Sequence, residues 1–368
     1  MKKKNVTISD IAERLCISKT TVSFAFNCPN RISKETADRV YAAAKEMGYM
    51  PTSPARTVSV GYYKTIGFLL PQSVDDCLSN PYMLDVIRGA TCVCEEYGFT
   101  LNLIPPFLSS VTTAVRNASV DGLITLGLAM TSQAIELFGK KDVPVVAVDG
   151  LGDGDVVSVG IDEEDAAYVQ MSQVLANGHR RISILTLPDT MCPSLDCYGS
   201  SALSERRLNG YKKALNEQGM ELSDTNVISV PVAYDANYRY ASKVLSLPDQ
   251  IPSCFVCMSD IAAIAAYRAC TDMKFKVPRD ISVVGFDGLE MGNQIKNGLT
   301  TISQRGDDKG RIAARLIFKM LKGDSIIDRT NNIPFSFAFS FVKGGTLAPV
   351  GGGAERRGIG LKKSIKSN

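Results

Sequence analysis

Residues 7–27 read TISDIAERLCISKTTVSFAFN, and they contain two short helical patterns separated by a break. Thr7 followed three residues later by Asp10 predicts a capping box at the start of a first helix. Its apolar residues then recur at helical spacing, at Ile8, Ile11, Ala12 and Leu15. The segment CIS follows as a short turn, and Ser18 is the residue type expected to cap a second helix.

The second pattern divides into an inward and an outward face. Val22, Ala25 and Phe26 can face a core. The residues expected toward solvent are Lys19, Thr20, Thr21, Ser23 and Phe24. A third helix is predicted between Ser33 as its N-cap and Gly48 as its end. Three short helices with a tight turn between the first two are typical of a helix-turn-helix domain.

Charge is distributed unevenly along a chain whose net charge is +3. Residues 1–60 carry +5 and residues 351–368 carry +4, which leaves −6 on the residues between them. A basic N-terminal module suits a polyanion, and small hydroxyl side chains on a helix can reach phosphates and base edges in the major groove. DNA binding is therefore the favoured interpretation. A small helical bundle that binds protein, or simply a charged, soluble end, is the alternative.

Composition is that of a globular protein of two or three domains, with 368 residues and 45% hydrophobic residues. No apolar run approaches the length of a membrane span, and polar residues rather than an apolar stretch follow MKKK, so we expect a cytoplasmic location. Cys254 and Cys257 have the spacing of a metal knuckle, but they lie in an apolar strand pattern without a second pair. We expect these thiols to pack, the single histidine, His179, to be structural, and no metal or cofactor to be needed.

From Lys64 onward the sequence alternates strand and helix patterns. Two series of short apolar strands are present: TIGFLL, FTLNLI, DGLITL and VPVVAV, then RISILTL, NVISV, SCFVCM and ISVVGF. They predict two lobes, each a parallel sheet covered on both faces. Neither series shows a dinucleotide fingerprint after its first strand. Ligands of such sheets sit at the carboxyl ends of the strands, so a cleft between two lobes is the expected site.

The head resembles the LacI/GalR family of transcriptional regulators. The likeness runs from about Thr7 to Arg56 and includes the pattern T-V-S-x-x-x-N at residues 21–27. It implies a DNA-binding head over residues 1–50 and a hinge helix and linker over 51–63. The DNA contacts that it implies are Thr7, Lys19, Thr20, Thr21, Ser23, Phe24, Asn27, Arg31, Tyr49, Ala55, Arg56 and Val58.

Three departures from the family pattern affect how DNA would be read. Cys16 stands where the turn usually has glycine, so the turn must accommodate a side chain. Phe24 stands where many members have arginine, which exchanges a guanine contact for an apolar one, for example to a thymine methyl. An inward-packed Phe24 is the alternative. Val58 matches the hinge position whose leucine enters the minor groove, and a smaller wedge should unstack the bases less.

The rest of the chain resembles the family more sparsely, in SNPYMLDVIRGA, VPVVAVD, RRLNGYKKAL and DISVVGFDG among other segments. The resemblance implies a periplasmic-binding-protein-like core over residues 64–348 that binds an effector and dimerises. The implied effector contacts are Tyr82, Asp149, Arg207, Ser259 and Asp287, and Asp260 is expected to organise a strand-end turn instead. A strand-end aspartate that is only a helix cap is the alternative for each acid.

The expected fold is α/β: a three-helix head and hinge helix, then two Rossmann-like lobes and a basic tail at 349–368 that we expect to be disordered. The tail lacks leucine heptads, which favours a dimer over a tetramer. The expected function is that of a regulator, with repression favoured, which binds a palindromic operator under the control of a small molecule, with a sugar favoured. A solute-binding protein without a DNA role is the alternative, and an enzyme is disfavoured.

Overall fold

A computed structural model describes residues 6–27, 29–49, 63–71, 73–105, 111–127, 129–130, 143–150, 156–187, 197–198, 201–324 and 335–351. The chain divides into two compact units. One comprises residues 1–65 together with 119–121, and the other comprises residues 66–118 and 122–368. No helix among the described residues is long and apolar enough to cross a membrane.

The first unit contains the three predicted helices, α1 (Ile8–Leu15), α2 (Lys19–Asn27) and α3 (Lys34–Met47). The capping box of α1 is confirmed: the Asp10 amide donates to Thr7 Oγ1 at 3.4 Å, and the Thr7 amide donates to Asp10 Oδ2 at 2.7 Å. Ser18 Oγ accepts from the Thr21 amide at 3.0 Å, and Ser33 Oγ accepts from the Thr36 amide at 3.2 Å. These caps satisfy amide groups that the first turn of a helix leaves unpaired.

The turn after α1 tolerates the cysteine that the sequence places there. Cys16 has a φ of 54°, the left-handed conformation that favours glycine, and the Ile17 amide donates to Ala12 O at 3.0 Å to close the helix. Gly48 ends α3 in the same conformation, with a φ of 68°. The two helices therefore end with the same left-handed backbone conformation, but only at the end of α1 is it adopted by a residue other than glycine.

The core of the head is formed by buried residues from all three helices. Ile11, Val22 and Val40 are fully buried, as the periodicity predicts for the first two. Phe26 packs at the edge of this core, with its ring centroid 5.6 Å from that of Tyr41 and 5.5 Å from that of Tyr49. These contacts orient α2 and leave its opposite face outside the core.

The second unit contains two six-stranded sheets. Sheet 1 has the order β13-β6-β5-β3-β1-β2, and sheet 2 has the order β14-β12-β11-β10-β7-β9. The strands of sheet 1 are β1 (Thr65–Leu69), β2 (Thr100–Ile104), β3 (Gly122–Leu126), β5 (Val145–Val148), β6 (Val157–Ile161) and β13 (Phe335–Phe337). Those of sheet 2 are β7 (Ile182–Thr186), β9 (Asn226–Ser229), β10 (Cys254–Cys257), β11 (Ser282–Asp287), β12 (Thr300–Ser303) and β14 (Ser340–Val342). A separate pair is formed by β4 (Ala129–Met130) and β8 (Cys197–Tyr198).

Eight helices accompany these strands among the described residues. They are α4 (Val74–Leu78), α5 (Pro81–Glu96), α6 (Val111–Asn117), α7 (Glu163–Ala176), α8 (Ser201–Asn216), α9 (Tyr234–Leu245), α10 (Asp260–Asp272) and α11 (Gly306–Leu321). Helix α11 follows a strand of sheet 2 but packs along α5 and against sheet 1. Gly89 and Gly310 permit this close packing, since a Cβ at either would overlap the backbone of the opposite helix.

The two series of strands form two separate sheets, as expected, and later segments of the chain add to both. Strand β13, near the end of the chain, returns to sheet 1 beside β6, and α11 returns with it. The sheets are not wholly parallel, because β14 pairs antiparallel with β12. Nor is every strand covered on both faces: β2 and β9 are edge strands whose residues are largely exposed. The chain therefore crosses between the two sheets more than once, which places residues of distant segments at their facing ends.

Two expectations about structural residues are met. Cys254 and Cys257 are fully buried in β10, and burial raises the pKa of both thiols. His179 is buried, with Nδ1 3.1 Å from Ser253 Oγ and Nε2 3.0 Å from Ala348 O. The Val350 amide donates to Asn177 O at 2.9 Å, so the beginning of the predicted tail is packed. Residues 352–368 of that tail lie outside the described part of the chain.

Candidate functional site

Helix α2 presents the side chains that the sequence assigns to DNA. Lys19 and Thr20 are exposed, and Thr21, Ser23 and Phe24 are half-buried. The Thr21 hydroxyl lies 2.8 Å from Ser18 Oγ, so it is already engaged at the helix start. Lys19 and Thr20 are thus the residues of α2 most open to a partner.

Phe24 lies outside the buried core of the head. Its ring is half-buried, and the guanidinium of Arg31 lies 5.6 Å from the ring centroid. Arg31 belongs to a short 3-10 helix, Pro29–Arg31, and its side chain is exposed. This placement favours a surface role for Phe24 over inward packing, and it sets a cation beside the position where the family pattern has arginine.

The remaining predicted DNA contacts have mixed positions. Thr7 is exposed and caps α1, while Tyr49 is half-buried against Phe26. Asn27 is the last residue of α2, and its side chain is outside what the structure describes. The predicted hinge contacts Ala55, Arg56 and Val58 lie outside the described residues altogether.

Within the second unit, four of the five predicted effector residues belong to two buried polar networks at the carboxyl ends of strands. Asp149 follows β5 and Asp287 ends β11, whereas Tyr82 lies in the first turn of α5 and Arg207 on α8. All four side chains are at least 92% buried. Asp149 and Asp287 have φ values of 54° and 137°, in the region that favours glycine. Such backbone costs about 1–3 kcal/mol per residue and clusters at functional sites.

The first network is centred on Lys309, a residue of α11 that sequence reasoning did not single out. Its ammonium donates to Asp149 Oδ1 at 2.6 Å, to Gln304 Oε1 at 2.7 Å and to Tyr82 Oη at 3.0 Å. The Tyr82 hydroxyl in turn donates to Asp149 Oδ2 at 2.5 Å. The three donors of the ammonium are thereby used, and both oxygens of Asp149 have partners.

Gln304 extends this network from sheet 1 to sheet 2. Its Nε2 donates to Asp287 Oδ1 at 2.7 Å, while Asp287 Oδ2 accepts from the Asp260 amide at 3.3 Å. Gln304 lies between β12 and α11, on a segment that joins the two sheets. A continuous path of hydrogen bonds therefore runs from Asp149 through Lys309 and Gln304 to Asp287.

Asp260, the first residue of α10, organises the turn after β11, whereas the sequence assigned it to the turn after its own strand, β10. Its carboxylate accepts from the Leu289 amide at 2.7 Å and from Thr301 Oγ1 at 2.5 Å. Burial raises its pKa to about 6, and burial followed by the nearby charge of Asp260 raises the pKa of Asp287 well above its ordinary value. Ser259 caps α10, with its hydroxyl accepting from the Ala262 amide at 3.3 Å. Ser259 therefore acts as the N-cap of α10 in this structure.

The second network is centred on Arg207. Its Nε donates to Glu163 Oε2 at 2.8 Å, its Nη1 donates to Met258 O at 2.5 Å, and its guanidinium stacks 3.6 Å from the ring centroid of Phe286. Burial, the largest single effect, lowers the pKa of Arg207, but the charges of Glu163 and Asp287 and the hydrogen bond to Glu163 together outweigh it and the pKa rises. A rigid, planar cation is thus held at the ends of β10 and β11.

Glu163, Gln304 and Lys309 are functional candidates that sequence reasoning missed. Lys309 lies one helical turn before Ala313 on the buried face of α11, and Glu163 begins the buried face of α7. A charged residue in register with an apolar helical stripe is a signal that the sequence did contain. Burial and then the charges of Asp149, Asp287 and Glu163 raise the pKa of Tyr82, so the two networks are within electrostatic reach of each other.

Comparison with known proteins agrees with this architecture. Residues 7–52 match the model of bacterial regulatory proteins of the lacI family, and residues 171–337 match a periplasmic binding protein-like domain. The chain is 28% identical over 321 residues to the HTH-type transcriptional regulator RegA of Clostridium saccharobutylicum, covering 86% of this chain and 92% of that protein. It is 25% identical over 346 residues to catabolite control protein A of Priestia megaterium, covering 91% and 98%.

Among solved structures, the lac repressor dimer bound to operator and an anti-inducer has a TM-score of 0.73 at 23% identity, covering 94% of this chain and 100% of that one. The helix-turn-helix head and the two-sheet unit together define a DNA-binding transcriptional regulator of the class controlled through an effector-binding domain. A lacI-family DNA-binding domain followed by a periplasmic binding protein-like domain is the arrangement of LacI/GalR-type regulators, which this chain resembles over most of its length.

Proposed function

We propose that the protein binds a palindromic DNA operator as a homodimer and that it represses transcription from that site. One helix of nine residues reads few base pairs, so two heads related by a two-fold axis would be needed for a specific operator. Exposed Lys19 and Thr20 on α2 support this proposal, because they can reach phosphates and base edges. A location in the cytoplasm, where the DNA is, follows from the same proposal.

We further propose that a small molecule, of which a sugar is the favoured class, binds at the facing ends of the two sheets and controls DNA affinity. The observation that carries this proposal is the hydrogen-bonded path from Asp149 through Lys309 and Gln304 to Asp287. A ligand that hydrogen-bonds to any of these groups would replace some of the hydrogen bonds that join the two sheets. If it binds one conformation of the protein more tightly than another, it shifts the equilibrium between them. Tyr82, Asp149, Arg207, Ser259 and Asp287 remain the proposed contacts.

Selection from randomised DNA duplexes with the full chain tests the first proposal. We expect an inverted repeat to be enriched and two chains to bind each duplex. Enrichment of a single, asymmetric half-site by one chain would contradict the proposal of a dimer.

For the second proposal, the selected duplex is titrated with the protein in the presence and absence of candidate sugars. A change in DNA affinity that Asp287→Ala reduces by roughly 1–3 kcal/mol is the expected result, and an undiminished response would remove Asp287 from the site.

A further inference from the structure

Glu163 carries a buried carboxylate that is only half satisfied. It is the first residue of α7, directly after the N-cap Asp162, where the chain leaves β6 of sheet 1. Its side chain is buried, with 1% exposed. Oε2 accepts from Arg207 at 2.8 Å, whereas Oε1 is buried and has no hydrogen-bond partner among the described residues. A buried charged oxygen without a donor is costly, so it calls for a partner that completes it.

The two neighbouring cations each have a carboxylate as counter-charge. The three donors of Lys309 are used by Tyr82, Asp149 and Gln304, and Asp149 lies against the ammonium as its counter-charge. Arg207 is paired with Glu163 and with Met258 O, and its plane is covered by Phe286. Both positive charges are thus balanced, and Glu163 Oε1 adds a buried acceptor that carries negative charge.

That arrangement limits what can bind beside it. A ligand hydroxyl or amino group can donate to Oε1 in a charge-assisted hydrogen bond, which is stronger than one between neutral groups. A phosphate or carboxylate placed there would bring a second negative charge against a buried one, in surroundings where charges interact more strongly than in water. The position beside Glu163 Oε1 therefore favours ligand groups that donate hydrogen bonds and disfavours anionic groups.

We propose that Glu163 Oε1 is a contact for the effector, accepting a hydrogen bond from one of its hydroxyl or amino groups, and that the effector carries no anionic group at this end. The inference rests on the proposed small-molecule site and adds to it a residue and a restriction on ligand class. Glu163 acts here by touching the ligand, and Arg207 holds its carboxylate in place through the other oxygen.

The test uses the full chain and matched pairs of probes in thermal-shift and calorimetric titrations. The pairs are ribose and ribose 5-phosphate, glucose and glucose 6-phosphate, glucosamine and gluconate, and adenosine and AMP. We expect an uncharged or amino member to bind and its anionic counterpart to fail. An anionic member that binds as tightly as its partner, or more tightly, would overturn the proposal without any variant being needed.

Two variants on the same helix then locate the contact. Glu163→Gln keeps the shape of the side chain, and Glu164→Gln changes an exposed neighbour. We expect the first to weaken the bound probe roughly ten- to hundred-fold, since a hydrogen bond to a charged group is lost. The second should leave binding unchanged. Removing one particular hydroxyl from the probe, the one that donates to Oε1, should weaken its binding to the wild type. Removing the same hydroxyl should weaken binding to Glu163→Gln much less.

The outcomes separate this inference from the proposed function. Equal probe affinity in wild type and Glu163→Gln would show that Oε1 meets only water, and the inference would fail while the regulator stands. Specific DNA binding with no response to any uncharged or amino probe would overturn the ligand class alone. Failure to select any DNA sequence would instead contradict the proposed binding to an operator.

Discussion

Lys309 Nζ lies 2.6 Å from Asp149 Oδ1, and both side chains are almost wholly buried. The pair lies between α11 and the end of β5, two elements that are 160 residues apart in the chain. A buried ion pair contributes little when compared with a well-packed apolar pair, but the loss of one partner leaves an uncompensated charge. The ammonium also holds Tyr82 and Gln304, so its removal disconnects three groups at once.

Lys309→Met should therefore destabilise the protein by roughly 3–5 kcal/mol, measured as a loss of free energy in urea unfolding. Adding Asp149→Asn should recover part of that loss, because the buried carboxylate is no longer charged. Lys319→Met is the matched control, since Lys319 is exposed on the same helix. Equal unfolding midpoints for the two single lysine variants would contradict the role given to Lys309.

The buried acid Asp260 should make stability fall as pH rises from about 4 to about 6. Burial raises the pKa of Asp260 to about 6 from an ordinary value near 3.8. In this window the folded protein binds more protons at this group than the unfolded chain does, so deprotonation disfavours folding. The contribution is fully present below about pH 4 and is lost as pH rises through about 6.

Asp260→Asn removes a titrating group and should flatten this part of the profile. Melting temperatures of wild type and variant at intervals from pH 4 to pH 7 provide the measurement. Arginine partners lower the pKa of Asp272 and Asp280, so these acids complete their titration at lower pH and do not hide the effect. Parallel profiles for wild type and Asp260→Asn would show that Asp260 does not titrate in this range.

Phe24→Arg should change base preference at one symmetric pair of operator positions, with discrimination of about 1–3 kcal/mol for a good bidentate guanine contact. The half-buried ring contributes mainly a contact with Arg31, so we expect little change in melting temperature. Phe26→Arg is the control, because Phe26 packs between Tyr41 and Tyr49 and its loss should unfold the head. A lowered melting temperature and general loss of binding in Phe24→Arg would favour inward packing.

Cys16→Gly should stabilise the head by about 0.5–1 kcal/mol. The left-handed conformation costs a non-glycine residue about 1–2 kcal/mol, and the greater freedom of glycine in the unfolded chain offsets part of the gain. Gly48→Ala tests the same geometry in the opposite direction and should destabilise by about 1 kcal/mol. Chemical unfolding followed by helical circular dichroism measures both, and a destabilised Cys16→Gly would show that the thiol contributes more than strain.

The sequence predicted local structure well and long-range assembly less well. The three helices of the head, their caps at Thr7, Ser18 and Ser33, and eight strands could be read from periodicity, since those features are set by neighbouring residues. The return of α11 and β13 to sheet 1 could not, because sheet membership depends on contacts between distant segments. Lys309 lies in register with the apolar stripe of α11, but it is also one of several charges in GDDKGR, and its partners Asp149 and Tyr82 could not be foreseen because they depend on the return of α11 to sheet 1.

Recognition of DNA through α2 is tested by comparing DNA binding by the full chain and by a chain lacking residues 1–60. Both are titrated against the selected duplex at several salt concentrations, while circular dichroism and thermal melting follow the folding of the remaining sheets. We predict specific, salt-dependent binding by the full chain, and no specific binding by the shortened chain although it stays folded. Unchanged affinity and sequence preference in the folded, shortened chain would contradict a regulator that reads DNA through α2.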